Sequence, residues 1–506
     1  MVITHQGEMA TVYTIADPVG RDKSGTYGEE IPCYDPLRMI EAELARYRLV
    51  TPASVLQDEL PRFHGGAVGY LSYETASRFE HLPVPEKNEL GLPLAVFCFT
   101  ETVLVFDHVK HRARIVTHLH LDAPDLVIEY QRCRAILEAI QSRLQQPVRL
   151  PDEPVCISDA TALQVTSNRT QSEFEEMVRR GVAYIRAGDV FQVVPSQRLS
   201  RHVNAAPFTI YRALRTINPS PYMFYLDMHD FYIVGASPEL LVRVEDGDGS
   251  VYREADIAMG EGYREGTVGQ RMDAINRILT VDPDLSRGER SEGKEVTIRP
   301  IAGTRPRGVD RQNDEHFAKE LKNDPKEQAE HVMLVDLARN DIGRVSTPGS
   351  IHVTEFMEIE RYSHVMHLVS NITGQLHGDA TPFDALRAGF PAGTVSGAPK
   401  IRAMEIISEL EGEQRGVYAG AVGYFSHSGN QETAIALRTM VIKNGRAYIQ
   451  AGCGVVADSD PTAEYKESLN KARALLRALD EAENIANERS HQVDYTRCDA
   501  AHRTRG

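Results

Sequence analysis

The stretch "QAGCGVVADSDPTAEYKESLNKARALL", residues 450–476, sets Glu464, Glu467 and Lys471 at i, i+3 and i+7 of a helix that opens at Asp460-Pro461. At 3.6 residues per turn all three project from nearly one face, toward a strand of glycine and other small residues. A second helix with the same kind of opening, Asp324-Pro325, carries Glu327 and Glu330 three apart. Aspartate is a favoured N-cap and proline a favoured first residue. Glu327 falls at N3, where it can close a capping box with Asp324, whereas Glu330 stands a turn further in and has no capping use. If the two helices face one another, Glu330 and Glu467 supply the oxygen ligands that Mg2+ takes, leaving positions for water and a substrate anion. Spacing alone fits a solvated acidic face equally well.

A cation is expected nearby. "TAIALRTMVIKNGRAYIQAGCG" reads as two strands about Asn444-Gly445, the pair a type I′ hairpin requires. Counting outward pairs Lys443 with Arg446 and sets Arg438 beside Ala451 and Gly452, while the preceding turn brings it near Gly420. A guanidinium flanked by residues with almost no side chain is a receptor for carboxylate or phosphate; the alternative is an edge arginine in solvent. In "FPAGTVSGAPKIRAMEII", Gly393, Thr394, Ser396 and Gly397 precede a helix opening at Pro399, and free amides there can hold an anion or a leaving oxygen. His364 and His367 lie three apart in "IERYSHVMHLVSNITG"; such histidines are more often packed and hydrogen-bonded than reactive.

These residues need elements to hold them. A proline-rich connection at 145–172 separates an N-terminal region, 1–150, from a second region, 165–482. Ser172 and Glu175 read as a capping box for a helix whose apolar stripe is Phe174, Met177, Val178, Gly181, Tyr184 and Ile185. "GAVGYLS" at 66–72 recurs as "GAVGYFS" at 420–426, which suggests a duplicated or two-sheet core joining the two halves. Residues 246–295, rich in glycine and charge with a short stripe at Met272, Ile275, Ile278 and Leu279, read as a surface insertion, and 483–506 as a polar, fraying tail.

With 42% apolar and 25% charged side chains, 506 residues can bury an extensive core. A formal charge of −16 argues against nucleic acid or an anionic membrane as partner. The six cysteines form no CxxC pair, and neither a signal sequence nor a membrane-length apolar run is present, so a cytoplasmic location is expected.

The strings "FHGGAVGYLSYE", "FQVVPSQR", "NPSPYMFYL", "GASPELL", "RPIAGTRPRG", "AEHVMLVDLARND", "ERYSHVMHLVS", "AGTVSGAPKIRAMEII", "YAGAVGYF", "TAIALRTMV" and "QAGCGVVADSDP" run in order over about 61–480. They resemble the chorismate-utilising enzymes, and most closely the anthranilate synthases among them. The resemblance implies an α+β fold of four layers, α/β/β/α, around two antiparallel sheets. It implies Mg2+ on Glu330 and Glu467, and chorismate lined by Gly303, Thr304, Tyr418, Arg438, Gly452, Cys453 and Gly454. Lys471 would balance the acidic cluster, Glu239 would protonate the departing C4 hydroxyl, and His367 would assist loss of pyruvate.

Relatives that add water carry a lysine where this chain has Gln192, and aminodeoxychorismate enzymes carry one where it has Ala302. A neutral amide cannot deprotonate water, whereas ammonia needs only positioning, so the implied activity is conversion of chorismate and ammonia to anthranilate and pyruvate, in tryptophan biosynthesis. Aminodeoxychorismate formation and a catalytically silent amidotransferase-binding scaffold are the alternatives. A separate glutamine amidotransferase subunit is expected to supply the ammonia, in a heterotetramer. Pro221, Tyr222 and Met223 match half of a feedback tryptophan site; the serine-bearing "LLES" strand that usually completes it has no match before Asp35.

Overall fold

Runs of β-branched and aromatic residues closed by tight turns build, among the described residues, two large antiparallel sheets and two two-stranded ones. The computed structural model describes residues 1–14, 27–51, 60–148, 164–246, 293–362 and 365–503, with the side chains of 14, 27, 28 and 489–503 outside the description. His364 and nearly all of the 246–295 insertion, including its apolar stripe, therefore lie outside the described residues.

Among the described residues the larger sheet has twelve strands. In spatial order its path is Ile301–Pro306, Val365–Gln375, Lys294–Ile298, Leu240–Asp246, Gln431–Ile435, Ala421–Ser426, Gly66–Leu71, Ala95–Thr100, Val2–Gln6, Met9–Thr14 and Tyr27–Pro32, with His352–Arg361 also paired to Val365–Gln375. The smaller sheet orders Tyr222–Asp227, Phe231–Ser237, Thr439–Lys443, Arg446–Gly452, Ser196–His202 and Thr166–Ser167. The two echoed strands are direct neighbours in the larger sheet, from Ala421↔Leu71 to Ser426↔Gly66. Gly69 faces Gly423 there, and a Cβ on Gly69 would lie 1.9 Å from the Val96 carbonyl oxygen. Close backbone approach explains the glycines of the repeated motif.

The chain passes between the sheets twice at one place. Phe231–Ser237 belongs to the smaller sheet and Leu240–Asp246 to the larger; Gln431–Ile435 belongs to the larger and Thr439–Lys443 to the smaller. The crossings are tied together: Ser237 Oγ donates to the Ile435 carbonyl at 2.6 Å, the Ile435 amide to the Glu239 carbonyl at 3.1 Å, and the Ala236 amide to the Arg438 carbonyl at 3.1 Å. Glu239 and Arg438 are the residues at these crossings.

The Asn444-Gly445 hairpin forms as expected, with both residues at positive φ and Lys443 opposite Arg446. The regular pairing stops at Met440↔Ile449. Arg438 adopts φ +46°, outside both strands, so the expectation that it lies beside Ala451 and Gly452 is corrected. Gln197 and Ser196 pair with those two residues on the other edge of their strand, and on the Arg438 side no ladder pair reaches them. At Arg438 the chain stays bonded to the Phe231–Ser237 strand through Ala236 but no longer pairs with the Arg446–Gly452 strand.

Two helices deliver the carboxylates. In Pro325–Gly343 the Asp324 side chain accepts from the amides of Lys326 and Glu327. Pro461–Arg503 packs Ala472, Leu475, Ala478, Leu479, Ala482 and Ala486 with the Pro207–Ile217 helix and the smaller sheet, where Leu479 is fully buried. Truncating that leucine to alanine would cost about 2 to 5 kcal/mol. The region from 483, expected as a fraying tail, continues this helix through Arg503, with Glu483 accepting from the amides of Asn204 and Ala205. Gln171–Ala187 is capped by Thr170 with Glu173 rather than by Ser172 with Glu175. Glu175 instead accepts from the Thr462 hydroxyl at 3.0 Å and ties this helix to the last one. Among the described residues no helix is long and apolar enough to cross a membrane.

Candidate active site

Glu239, 5% exposed, is a carboxyl in an apolar setting. Burial pushes its pKa up to about 8, against the opposing pull of the Thr394 hydroxyl, the Ile301 amide and the Arg438 charge. It is thus largely a neutral acid at pH 7. The Thr394 hydroxyl is buried and lies near this carboxyl without a well-formed hydrogen bond. Arg438 is half-buried, and burial pulls its guanidinium below its ordinary range. It forms no ion pair with any described residue. An unpaired cation beside a neutral acid is a receptor for an anionic group.

His367, 3% exposed, lies opposite Thr304 in the larger sheet. Its Nδ1 is 2.9 Å from the Gly303 carbonyl oxygen and 3.1 Å from Thr304 Oγ1. A carbonyl can only accept, so Nδ1 carries the proton and Nε2 is left as a base or acceptor. Burial lowers the His367 pKa and favours this neutral form. The ring meets Tyr362 edge-on, and the Tyr362 hydroxyl donates to Glu360 at 2.7 Å.

Gly303, at φ +63°, connects this group to the acidic helix: a Cβ on it would lie 2.9 Å from Glu327 Oε2. The expectation that Glu327 closes a capping box is corrected. Its carboxylate reaches Arg305 at 3.4 Å and faces Gly303, and burial followed by the nearby Glu330 raises its pKa. One turn on, Glu330 accepts from Gln192 Nε2 at 3.0 Å and has no cationic partner among the described residues. A Cβ on Gly454 would lie 2.7 Å from Gln192 Nε2 and 3.7 Å from Glu330 Oε1.

Across the 452–454 segment, Lys471 Nζ donates to Glu467 Oε1 at 2.8 Å and to the Gly452 carbonyl at 3.2 Å. A Cβ on Gly452 would lie 3.0 Å from the Tyr418 hydroxyl. Glu464, on the same face as expected, is 7% exposed, accepts from Ser459 Oγ at 2.7 Å and lies against the Cys453 thiol. Cys453 is fully buried, and burial together with Glu464 holds its thiol protonated, so it carries no nucleophilic chemistry.

Gln192 and Gly454 thus border Glu330, and Lys471 links Glu467 to the Gly452 carbonyl, which brings both carboxylates to the 452–454 segment. No group of three or more His, Cys, Asp or Glu forms a complete metal cage among the described residues. Two carboxylates, one without a cation partner, fit a magnesium ion whose shell is completed by water and an anionic ligand.

One supporting group escaped the sequence reading. Arg415, fully buried, donates to the carbonyls of Val194 at 2.6 Å and Val395 at 2.8 Å, pairs with Glu411 at 2.6 Å, and lies over Tyr73 and Tyr418. It locks the Gln192 segment, the 393–396 turn and Tyr418 into one frame. Pro221, Tyr222 and Met223 sit at the edge of the smaller sheet, with Tyr222 opposite Ser237 and its hydroxyl donating to Glu432 at 3.2 Å.

The family described as chorismate binding enzyme matches residues 21–254 and 289–477, so its gap falls within the insertion. The chain is 46% identical over 431 residues to anthranilate synthase component 1 of Acetivibrio thermocellus, covering 84% of this chain and 77% of the relative. It is 44% identical over 463 residues to the same component of Pseudomonas aeruginosa, covering 91% and 83%. Among solved structures it is similar to anthranilate synthase component I of Streptococcus pneumoniae, with a TM-score of 0.70 and 36% identity over 94% of this chain and 89% of that one. The menaquinone-specific isochorismate synthase of Escherichia coli shares the fold at 16% identity, with a TM-score of 0.61 over 95% and 96% of the two chains.

Proposed function

The chain belongs to the chorismate-binding enzyme family and, within it, to the anthranilate synthase component I group, and we propose that it turns chorismate and ammonia into anthranilate and pyruvate at the site around Glu239. The observation that carries this reading is a buried carboxyl held neutral near pH 7 next to an unpaired, half-buried Arg438. Arg438 takes a carboxylate of chorismate through its planar fork. Glu239 donates its proton to the C4 oxygen, which leaves as water while ammonia bonds to C2. Gln192 shapes the space next to Glu330 without acting as a base, so water is not activated for attack.

Nε2 of neutral His367 then takes the ring proton whose loss accompanies departure of pyruvate. Thr304 and the Gly303 carbonyl fix the ring of that histidine. Glu330 and Glu467 would hold Mg2+, which supplies charge neutralisation for the second carboxylate of the dianion. Lys471 keeps Glu467 oriented and offsets the acidic cluster. Tyr418, Gly452, Cys453 and Gly454 line the same wall, where the small residues leave room for the ring.

The reading extends to a lyase of tryptophan biosynthesis in the cytoplasm, with four layers around the two sheets. It includes a separate amidotransferase subunit in a heterotetramer, and a tryptophan contact at Pro221, Tyr222 and Met223. The test is the purified chain with chorismate, Mg2+ and ammonium, with the product identified by mass and fluorescence. Anthranilate supports the reading. Aminodeoxychorismate without pyruvate release would overturn it in favour of the sister activity, and no product in a folded, chorismate-binding chain would leave a scaffold.

A further inference from the structure

Glu239 also borders a cavity of about 20 Å³ whose wall does not include Arg438. That is room for one water molecule where polar partners are at hand. Leu241, Leu334 and Leu337 contribute apolar wall, while Glu239, Thr394 and Asp341 bring polar side chains to it. Asp341, 5% exposed, accepts from Lys400 Nζ at 2.8 Å, and Lys400, whose side chain is 11% exposed, also reaches the Gly389 carbonyl at 3.4 Å. A buried ion pair of this kind is weak evidence for stability, since apolar residues of similar volume often serve as well or better. Its position at the far side of the acid's own cavity suggests another use.

We propose that Lys400, Asp341 and Thr394 form a proton-return path to Glu239 through this cavity, separate from the face that receives chorismate. The proposal rests on the reading of Glu239 as the acid. In each turnover the N–C2 bond forms as the C4–O bond breaks, the Glu239 proton departs on the oxygen as water, and the new ammonium at C2 carries one surplus proton. On return, a proton passes from the Lys400–Asp341 pair to a water in the cavity and on to the Thr394 hydroxyl, whose own proton goes to the Glu239 carboxylate. The pair regains its proton from solvent at Lys400, and the ammonium loses its surplus proton to solvent, so the cycle balances. The charged groups that bear on the path are Arg438 at Glu239, and Lys400 and Arg344 at Asp341. All three are cations: they hold down the proton affinity of the two carboxylates, and burial opposes this at Glu239 and Asp341 and restores their affinity for the returning proton. Thr394, Asp341 and Lys400 act through Glu239 and are positioning residues.

The experiment compares Thr394→Val, Asp341→Asn, the double variant and Glu239→Gln in steady-state turnover with saturating chorismate, ammonium and Mg2+, in H2O and D2O. The path requires Thr394→Val to lower kcat about tenfold, with KM for chorismate unchanged and a larger D2O effect on kcat, and the double variant to be no worse than the slower single one. A Thr394→Val enzyme that keeps kcat within twofold and the wild-type D2O effect overturns the path even if Asp341→Asn fails to fold. If Glu239→Gln is inactive while Thr394→Val is normal, the path alone fails; if Glu239→Gln stays active, the acid assignment fails and the path with it.

Discussion

Replacing Arg438 by alanine separates function from stability in one variant. The arginine is held at φ +46° and half-buried with no ion-pair partner among the described residues. Alanine bears the same backbone strain but removes a desolvated charge, so the variant should melt at the wild-type temperature or above it. Its efficiency should collapse, because a bidentate, charge-assisted pair with the substrate carboxylate is worth about 2 to 3 kcal/mol, or roughly 30- to 150-fold in kcat/KM. A second signature follows from the neighbouring acid. The Arg438 charge favours the ionised form of Glu239, so its removal raises that pKa above about 8 and moves the basic limb of the kcat profile to higher pH. The assay is steady-state anthranilate fluorescence from pH 6 to about 9.5, with calorimetric melting on the same preparations. An efficiency loss below about threefold, or a basic limb that stays in place, would refute the assignment of Arg438 to the substrate.

In the unchanged enzyme, kcat with ammonium should fall as pH rises through about 8, where Glu239 loses its proton. Because the folded pKa lies above the ordinary 4.5, this group erodes stability as pH climbs from 4.5 to about 8; Glu239→Gln should thus be inactive yet melt higher than wild type at pH 8, with the gap closing toward pH 4.5. An equal melting temperature at pH 8 would contradict the buried-acid description. Glu467→Gln should remain folded and lose at least a hundredfold of its Mg2+-dependent turnover; normal activity of that variant in EDTA would remove the metal from the site. Supplied without a partner and at sub-saturating ammonium, the chain should gain rate with the free NH3 fraction up to about pH 8, where loss of the Glu239 proton takes over, and be inert with glutamine. Sustained anthranilate formation from glutamine, with no second polypeptide visible by mass spectrometry, would overturn the expectation of a separate amidotransferase.

The parts legible in the sequence are those with local chemical marks. Asp324-Pro325 and Asp460-Pro461 announced two helix starts, and Asn444-Gly445 announced a hairpin, because capping and positive φ restrict which residues can serve. The register count failed at Arg438 because an arginine at positive φ has no sequence signature, and the chain changes sheets there. Glu464 and Glu467 share a helix face, yet only Glu464 is taken inward by Ser459, a contact that spacing cannot reveal. Arg415 and the Asp341–Lys400 pair were missed for a related reason: charged residues are read as surface unless their partners are known, and those partners come from other segments.

The pairing of Gly66–Leu71 with Ala421–Ser426 has a bearing on biosynthesis. During translation the earlier strand leaves the ribosome long before its neighbour exists, at roughly 5 to 20 residues per second. It must wait with one edge unmatched, and the apolar side chains of Ala67, Tyr70 and Leu71, fully covered in the finished chain, wait with it. The crossing that carries Arg438 and the helix that carries Glu467 and Lys471 emerge later still. A nascent or truncated chain ending before residue 420 therefore has neither a closed sheet nor a catalytic site, and exposes a strand edge open to association with other chains.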